Sequence, residues 1–206
     1  MSDERVFIGD FTRKEFRERM KAGTIHAAIV PTAATEQHNE HLHMIHDTLH
    51  ASYMAEHAAR RLNPNIIVAT PVAIGVSEHW MEHIGTLTVR PEIFCEYVFD
   101  VCHSLVRAGI KNILILNGHG GNVKPMMRRI DEYRDKLNIN LRFQSYWDVY
   151  DTKLVQEQME NGRLPGHADE FEVARAGGDC SVSSDRVEDG ARRRRALQTL
   201  PKPGIK

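Results

Sequence analysis

The chain has 206 residues, 41% hydrophobic and 27% charged, with a formal net charge of -1. This is the composition of a folded globular chain with one sizeable core, not of a disordered one. The balanced charge supplies no field to attract nucleic acid or an anionic membrane, and no apolar run reaches the roughly 20 residues needed to span a bilayer.

The first residues, Met1 to Asp10, lack the apolar stretch of a secretory signal, so we read the protein as cytoplasmic. Cys95, Cys102 and Cys180 form no CxxC pair, which points to neither a disulfide framework nor a zinc ribbon. Cys95 and Cys102 lie seven apart on an expected helix and should sit in or near the core. Histidine is the unusual count, at 12, with His38, His41, His43, His46 and His50 crowded together.

In chain order, Thr12-Arg13-Lys14-Glu15 has the form of a capping box and predicts a helix to about Ala22, stopped by Gly23. Ile25 to Val30 reads as a short buried strand ending at Pro31. A His-rich loop follows, then a helix from about Thr48 to Leu62. Ile66 to Ala69 is a second strand. Pro91 suits the first position of a helix, whose apolar stripe runs through Ile93, Phe94, Tyr97, Val98, Val101 and Leu105 until Gly109 ends it. Asn112 to Leu116 is a third strand, Val123 to Leu137 a helix, and Leu141 to Tyr146 a fourth strand. Short apolar strands alternating with helices predict an α/β fold with a mainly parallel sheet. Such sheets bind ligands outside the carboxyl ends of their strands. From Arg175 onward Gly, Ser, Asp and Arg replace the large apolar residues. We therefore divide the chain into a domain over residues 1–174 and an atypical tail, residues 175–206, with little to bury. The run Arg192 to Arg195 reads as a solvated tail; the competing reading is a nucleic-acid contact.

Four segments could carry chemistry. Glu36 and His38 are two apart just past a buried strand, so in extended chain they point the same way. Asp47 sits near a helix start, where backbone N–H groups favour a carboxylate. Carboxylate plus imidazole suits zinc, manganese or iron better than calcium, but the spacing also fits a capping Asp47 beside surface histidines. His119 lies in Asn117-Gly118-His119-Gly120-Gly121-Asn122, a turn after an apolar strand that lacks the phosphate-loop pattern. The run from His167 to Glu172 packs one imidazole with Asp169, Glu170 and Glu172; alone it also reads as a charged helix start. The run from Glu78 to His83 could line a pocket or be an exposed loop, and Trp147 at the end of the fourth strand could wall a pocket or simply pack in the core.

Taken in order, Glu36-Gln37-His38, Asp47, Asn117 to Asn122 and His167 to Glu172 resemble the creatininase (creatinine amidohydrolase) family over roughly residues 5 to 174. The resemblance implies a three-layer α/β fold with two divalent metal ions, zinc, manganese or iron. It implies that Glu36 and His119 each bind one ion, that His38 binds the other, and that Asp47 bridges them. His167 matches a histidine that moves protons during amide hydrolysis or ring opening, and Trp147 a tryptophan on the substrate side, where we also put His79. A small-molecule substrate and a homo-oligomer, often a hexamer, are implied as well.

Three departures shape the expectation. Creatininases proper carry a liganding glutamate two residues after the histidine of the glycine turn; here that residue is Gly121. This argues against creatinine as substrate, favours a Gly-Gly branch, and makes Glu170 the expected replacement ligand. That branch includes deformylases of flavin-type biosynthesis, a peptidase of peptide-cofactor maturation and hydrolases of oxidised inositols. The family's Phe-Pro-Gly-Thr reads His83-Ile84-Gly85-Thr86, which changes the pocket wall. The tail departs from the family after Glu172. The leading expectation is therefore a metal-dependent hydrolase of a small cyclic or carbonyl-containing substrate. The alternatives are a keto-inositol hydrolase of the same family and a non-catalytic member with a defective C-terminus.

Overall fold

The computed structural model describes residues 5–158, 166–169 and 172–173. The expectations for Glu170 and for the tail, residues 175–206, lie outside the described residues.

Helix α1 (Arg13–Lys21) begins as its sequence dictates. The Thr12 hydroxyl accepts from the Glu15 N–H, while the Glu15 carboxylate accepts from the Thr12 N–H. Gly23, at φ 66°, takes the left-handed conformation that lets the chain turn away. Strands β1 (Ala27–Thr32), β2 (Ile66–Val68), β3 (Asn112–Asn117) and β4 (Asn140–Ser145) form one parallel sheet in the order β2-β1-β3-β4. The further α-helices are α2 (His46–Arg61), α3 (Pro91–Arg107), α4 (Val123–Met127), α5 (Ile130–Leu137) and α6 (Thr152–Gln158), with short 3-10 turns between elements.

The strands are apolar on both faces because both faces are covered. Ala28, Val30, Ile113 and Ile115 point into the larger core with Phe94, Val98, Ile130 and Tyr133 from α3 and α5. Ile29, Leu114 and Leu116 point the other way, against Ala55 and Ala59 of α2. The result is three layers, α/β/α, as the alternation of elements predicts. Cys95 and Cys102 are buried on α3. Among the described residues no helix is long and apolar enough to cross a membrane.

Two boundaries differ from the expectation for identifiable reasons. Pro31 does not end β1 but lies inside it. Its nitrogen faces the β2 side, where the ladder has already stopped at the Ile29–Val68 pair, so no sheet hydrogen bond is lost. The helix expected over Val123 to Leu137 is broken at Arg128 and Arg129 into α4 and α5. Met126, Ile130, Tyr133 and Leu137 nevertheless stay buried on one side of both pieces. The structure also contains α6, which the apolar pattern did not signal.

The arrangement fixes where a site can form. Connections leave β1 towards β2 on one side and β3 towards β4 on the other, so the crevice opens between the carboxyl ends of β1 and β3. Thr32, Asn117 and Ser145 lie in register at that edge. The Thr32 hydroxyl donates to Asn117 Oδ1 at 3.4 Å, and Asn117 Nδ2 donates to Ser145 Oγ at 3.1 Å. Helix α2 comes close to the sheet because Ala51, Ala55 and Ala59, each 0% exposed, face it every fourth residue. Ala55→Leu should therefore force α2 outward and cost about 1–3 kcal/mol. Chemical denaturation checks this; an unchanged midpoint would contradict the packing described.

Candidate metal centre

The loop after β1 brings three functional side chains to the crevice within a few residues. It is pinned by Glu36 N–H to Met44 O at 2.9 Å, Gln37 N–H to Thr86 Oγ1 at 3.2 Å and Thr48 Oγ1 to Ala34 O at 3.1 Å. Glu36 and His38 are both 0% exposed, an unusual depth for ionisable groups. Asp47 stands in the first turn of α2, as its position predicts, and is also buried. His119 leaves the end of β3 from the opposite side of the crevice.

These groups form a single cluster. Asp47 lies between the two deepest imidazoles, with Oδ1 3.0 Å from His38 Nε2 and Oδ2 3.1 Å from His119 Nδ1. Glu36 Oε1 is 3.3 Å from His119 Nδ1 and 3.4 Å from His167 Nδ1. Glu172 Oε2 approaches His38 Nε2 at 3.9 Å and accepts from the Ala168 N–H at 2.5 Å. Each deep imidazole is held from behind by a backbone carbonyl. His38 Nδ1–H donates to Glu36 O at 3.1 Å, and His119 Nε2–H donates to Val76 O at 3.0 Å. Those two bonds set the tautomers and leave one nitrogen of each ring directed at the carboxylates, the way a protein orients metal-binding histidines.

The carboxylate oxygens test whether a metal fits. Both oxygens of Glu36 and Asp47 Oδ2 are buried with no hydrogen bond of normal geometry among the described residues, although imidazole nitrogens stand close. Buried acceptors are rarely left so. Three overlapping triplets have ligand atoms within 4.8 Å of one another: Glu36, His38 and His167; Glu36, His79 and His119; and His38, Asp47 and Glu172. The donors are carboxylate oxygens and imidazole nitrogens, a mixture that fits zinc, manganese or iron.

Protonation follows from the same geometry. Burial disfavours charge on His119, but Asp47 and Glu36 outweigh it and raise its pKa to about 10. His38 is likewise raised, its bond to Asp47 overcoming burial. Burial opposes ionisation of Asp47, yet the two imidazoles bring its pKa down to about 2. Glu172 is pushed up to about 7, by burial first and by the charge of Asp47 next. His167 is lowered by burial and by the neighbouring His38.

The glycine turn is shaped by its two asparagines. Asn122 Nδ2 donates to Ala33 O at 3.1 Å and to Asn117 Oδ1 at 3.2 Å, while its Oδ1 accepts from the Val76 N–H at 3.0 Å. Asn117 Nδ2 also donates to His119 O at 2.8 Å. A Cβ on Gly121 would collide with the Val76 carbonyl and come within 2.5 Å of His119 Nε2. The residue at 121 is thus a glycine for steric reasons as well as lacking a ligand.

The cluster opens into a cleft of about 700 Å³ whose walls include His79, Trp80, Tyr146, Trp147 and His167. Of the residues singled out from sequence, Glu36, His38, Asp47, His119 and His167 come together, with Trp147 and His79 on the cleft. Glu172, from the same motif, reaches the cluster. The turn at Ala168, with φ 50°, aims the Ala168 N–H at the Glu172 carboxylate. Sequence reasoning missed the parts played by Gln37 and Trp80. Gln37 Oε1 accepts from the Asn39 N–H at 3.0 Å, which orients its amide so that Nε2 donates to His167 Nε2 at 2.9 Å. Trp80 stacks on His167 with ring centroids 4.8 Å apart. The available signals were adjacency to Glu36 and His38 for Gln37, and to His79 for Trp80.

A parallel three-layer sheet with a buried carboxylate–imidazole cluster at its crevice defines a class of α/β proteins built to hold metal ions at their strand ends. Within it the chain belongs to the creatininase family, whose model, described as creatinine amidohydrolase, matches residues 9–199. It is 33% identical over 118 residues to a 3-dehydro-scyllo-inosose hydrolase of Thermotoga maritima, covering 56% of this chain and 36% of that protein. It is 26% identical over 172 residues to creatinine amidohydrolase of Pseudomonas putida, covering 77% of this chain and 65% of that one. A mycofactocin precursor peptide peptidase of Mycobacterium ulcerans is 26% identical over 113 residues, covering 52% of this chain and 45% of the relative. The chain therefore spans less than two thirds of the length of each of these curated relatives. A crystal structure of creatininase superposes with a TM-score of 0.76 at 26% identity, over 84% of this chain and 72% of that one. A manganese form of creatininase gives a TM-score of 0.75 with the same identity and coverage.

The raised pKa of both deep imidazoles has a direct consequence at neutral pH. In chelator-stripped protein His119 holds a proton up to about pH 10, and a divalent cation must displace it. Zinc uptake at pH 7 should release protons, and affinity should rise with pH. Calorimetry in two buffers of different ionisation enthalpy measures the release; uptake without it would contradict these protonation states.

Proposed function

We propose that the protein is a metal-dependent hydrolase of a small cyclic or carbonyl-containing substrate, working with two divalent ions. The observation that carries this is the cluster itself: three buried carboxylates and two oriented imidazoles at the floor of an open cleft. In this reading Glu36 and His119 would hold one ion and His38 and Glu172 the other, with Asp47, which lies between His38 and His119, shared by both. Zinc, manganese and iron all accept these donors, and creatininase structures of manganese and Zn-Zn type support the first two. Glu172 takes the place that the sequence reading gave to Glu170.

When bound, the ions polarise a substrate carbonyl and acidify water near neutral pH. The chain's own residues supply the rest. His167 is neutral at neutral pH, because burial and His38 lower its pKa, and it stands at the mouth of the cluster. Gln37 donates to Nε2, which leaves the proton on Nδ1, beside Glu36. An imidazole so poised takes up a proton and returns it to a leaving group. Trp80 keeps that ring in orientation by stacking, and Trp147 walls the cleft on the substrate side.

Gly121 leaves no liganding glutamate after His119, so we assign the chain to a Gly-Gly branch and not to creatininases proper. An oxidised inositol is the second substrate reading, favoured by the 33% identity to an inosose hydrolase. The proposal keeps the site within residues 1–174, gives the tail no part in it, and includes a homo-oligomer.

Metal analysis of purified protein tests the assignment. Asp47→Ala and His119→Ala should each lose bound metal, and full metal content in either would show the site to be wrong. His167→Ala should keep its metal but lower kcat about 10²- to 10⁴-fold on whichever cyclic amide, formamide or keto-inositol the wild type hydrolyses. A turnover unaffected by chelator or by the His167 change would rule out this mechanism.

A further inference from the structure

We infer that His79 is a ligand of the ion held by Glu36 and His119, a donor additional to Glu172, which the reading above sets on the other ion. This rests on the two-ion reading above and revises the sequence reading of His79 as a substrate contact. A ring nitrogen of His79, a nitrogen of His119 and an oxygen of Glu36 lie within 4.8 Å of one another. The His79 and His119 rings are nearly parallel, at 10°, with centroids 5.9 Å apart. Ligand atoms about 2.0–2.1 Å from a tetrahedral zinc stand roughly 3.4 Å from each other. The triplet therefore needs only a small inward swing to close on an ion. His79 is free to make it: the residue is exposed, and among the described residues neither ring nitrogen makes a hydrogen bond.

The backbone beneath His79 is tethered by hydrogen bonds. Val76 N–H is tied to Asn122 Oδ1 at 3.0 Å, Ser77 N–H to Thr88 Oγ1 at 2.9 Å, and Trp80 N–H to Ser77 O at 2.9 Å. The same Val76 supplies the carbonyl that fixes the His119 tautomer. One rigid segment, Val76 to Trp80, thus orients one ligand and presents another. The His119 loop presses so closely on this segment that residue 121 has no space for a side chain of any kind.

A neutral imidazole as the added donor also shapes the chemistry. With Glu36, Asp47, His119 and His79 the ion has two anionic and two neutral donors, and Asp47 shares its charge with the second ion. Less negative charge on the ligands leaves a stronger Lewis acid. His79 is followed by Trp80, which stacks on His167. Ligand, wall and proton carrier are therefore linked through two adjacent residues.

The experiment strips the full chain with a chelator, reloads it with Zn²⁺, and measures bound zinc and its dissociation constants by competition with a chromophoric chelator. Wild type should hold two zinc ions per chain. His79→Ala should keep the tighter ion and bind the other at least tenfold more weakly, with the thermal stability of the stripped protein unchanged. His79→Glu should recover the second ion. A His79→Ala protein that binds both ions as wild type does would overturn the inference while leaving the two-ion reading standing. A wild type that binds fewer than two would overturn that reading, and the inference with it.

Discussion

Three carboxylates, Glu36, Asp47 and Glu172, are buried around the same two imidazoles, His38 and His119, at the end of a parallel sheet. Burial of even one ionised carboxylate without compensation is strongly unfavourable, and mutual repulsion compounds the cost. Everything around the cluster answers that constraint. His38 and His119 present nitrogens to it, backbone carbonyls fix those rings, and Glu172 responds to burial and to Asp47 by retaining a proton up to about pH 7. Protons on the imidazoles offset the charge in part; divalent cations do so with better-matched geometry. The cluster is therefore poorly suited to a purely structural role and well suited to holding metal.

Such a cluster needs a scaffold that resists its own electrostatics. The sheet supplies it through Thr32, Asn117 and Ser145, linked side chain to side chain across three strand ends. Asn122 then ties the glycine turn to the loops at Ala33 and Val76. These bonds are buried, so each lost partner would leave a group unsatisfied. The alanine face of α2 lets Asp47 approach closely enough to stand between both imidazoles. Packing, polar network and site are thus successive consequences of one topology.

Much of this was legible in the sequence. The strand–helix alternation gave the parallel sheet, and Glu36, His38, Asp47 and His119 stood at strand ends and a helix start, where the crevice had to be. The misses have physical causes. Pro31 reads as a strand terminator unless one knows that β2 stops two residues short of it. Glu172 reaches the cluster through the turn at Ala168, and a positive φ on alanine has no sequence signature. Gln37 and Trp80 act through His167, more than eighty residues away along the chain, and no local spacing carries that information.

The most direct test of the account is anomalous scattering from crystals of the zinc-loaded protein. It should place two ions astride Asp47, one among Glu36, His119 and Asp47 and the other among His38, Glu172 and Asp47. Data with no anomalous peak in this cluster, or with zinc bound only elsewhere, would contradict it.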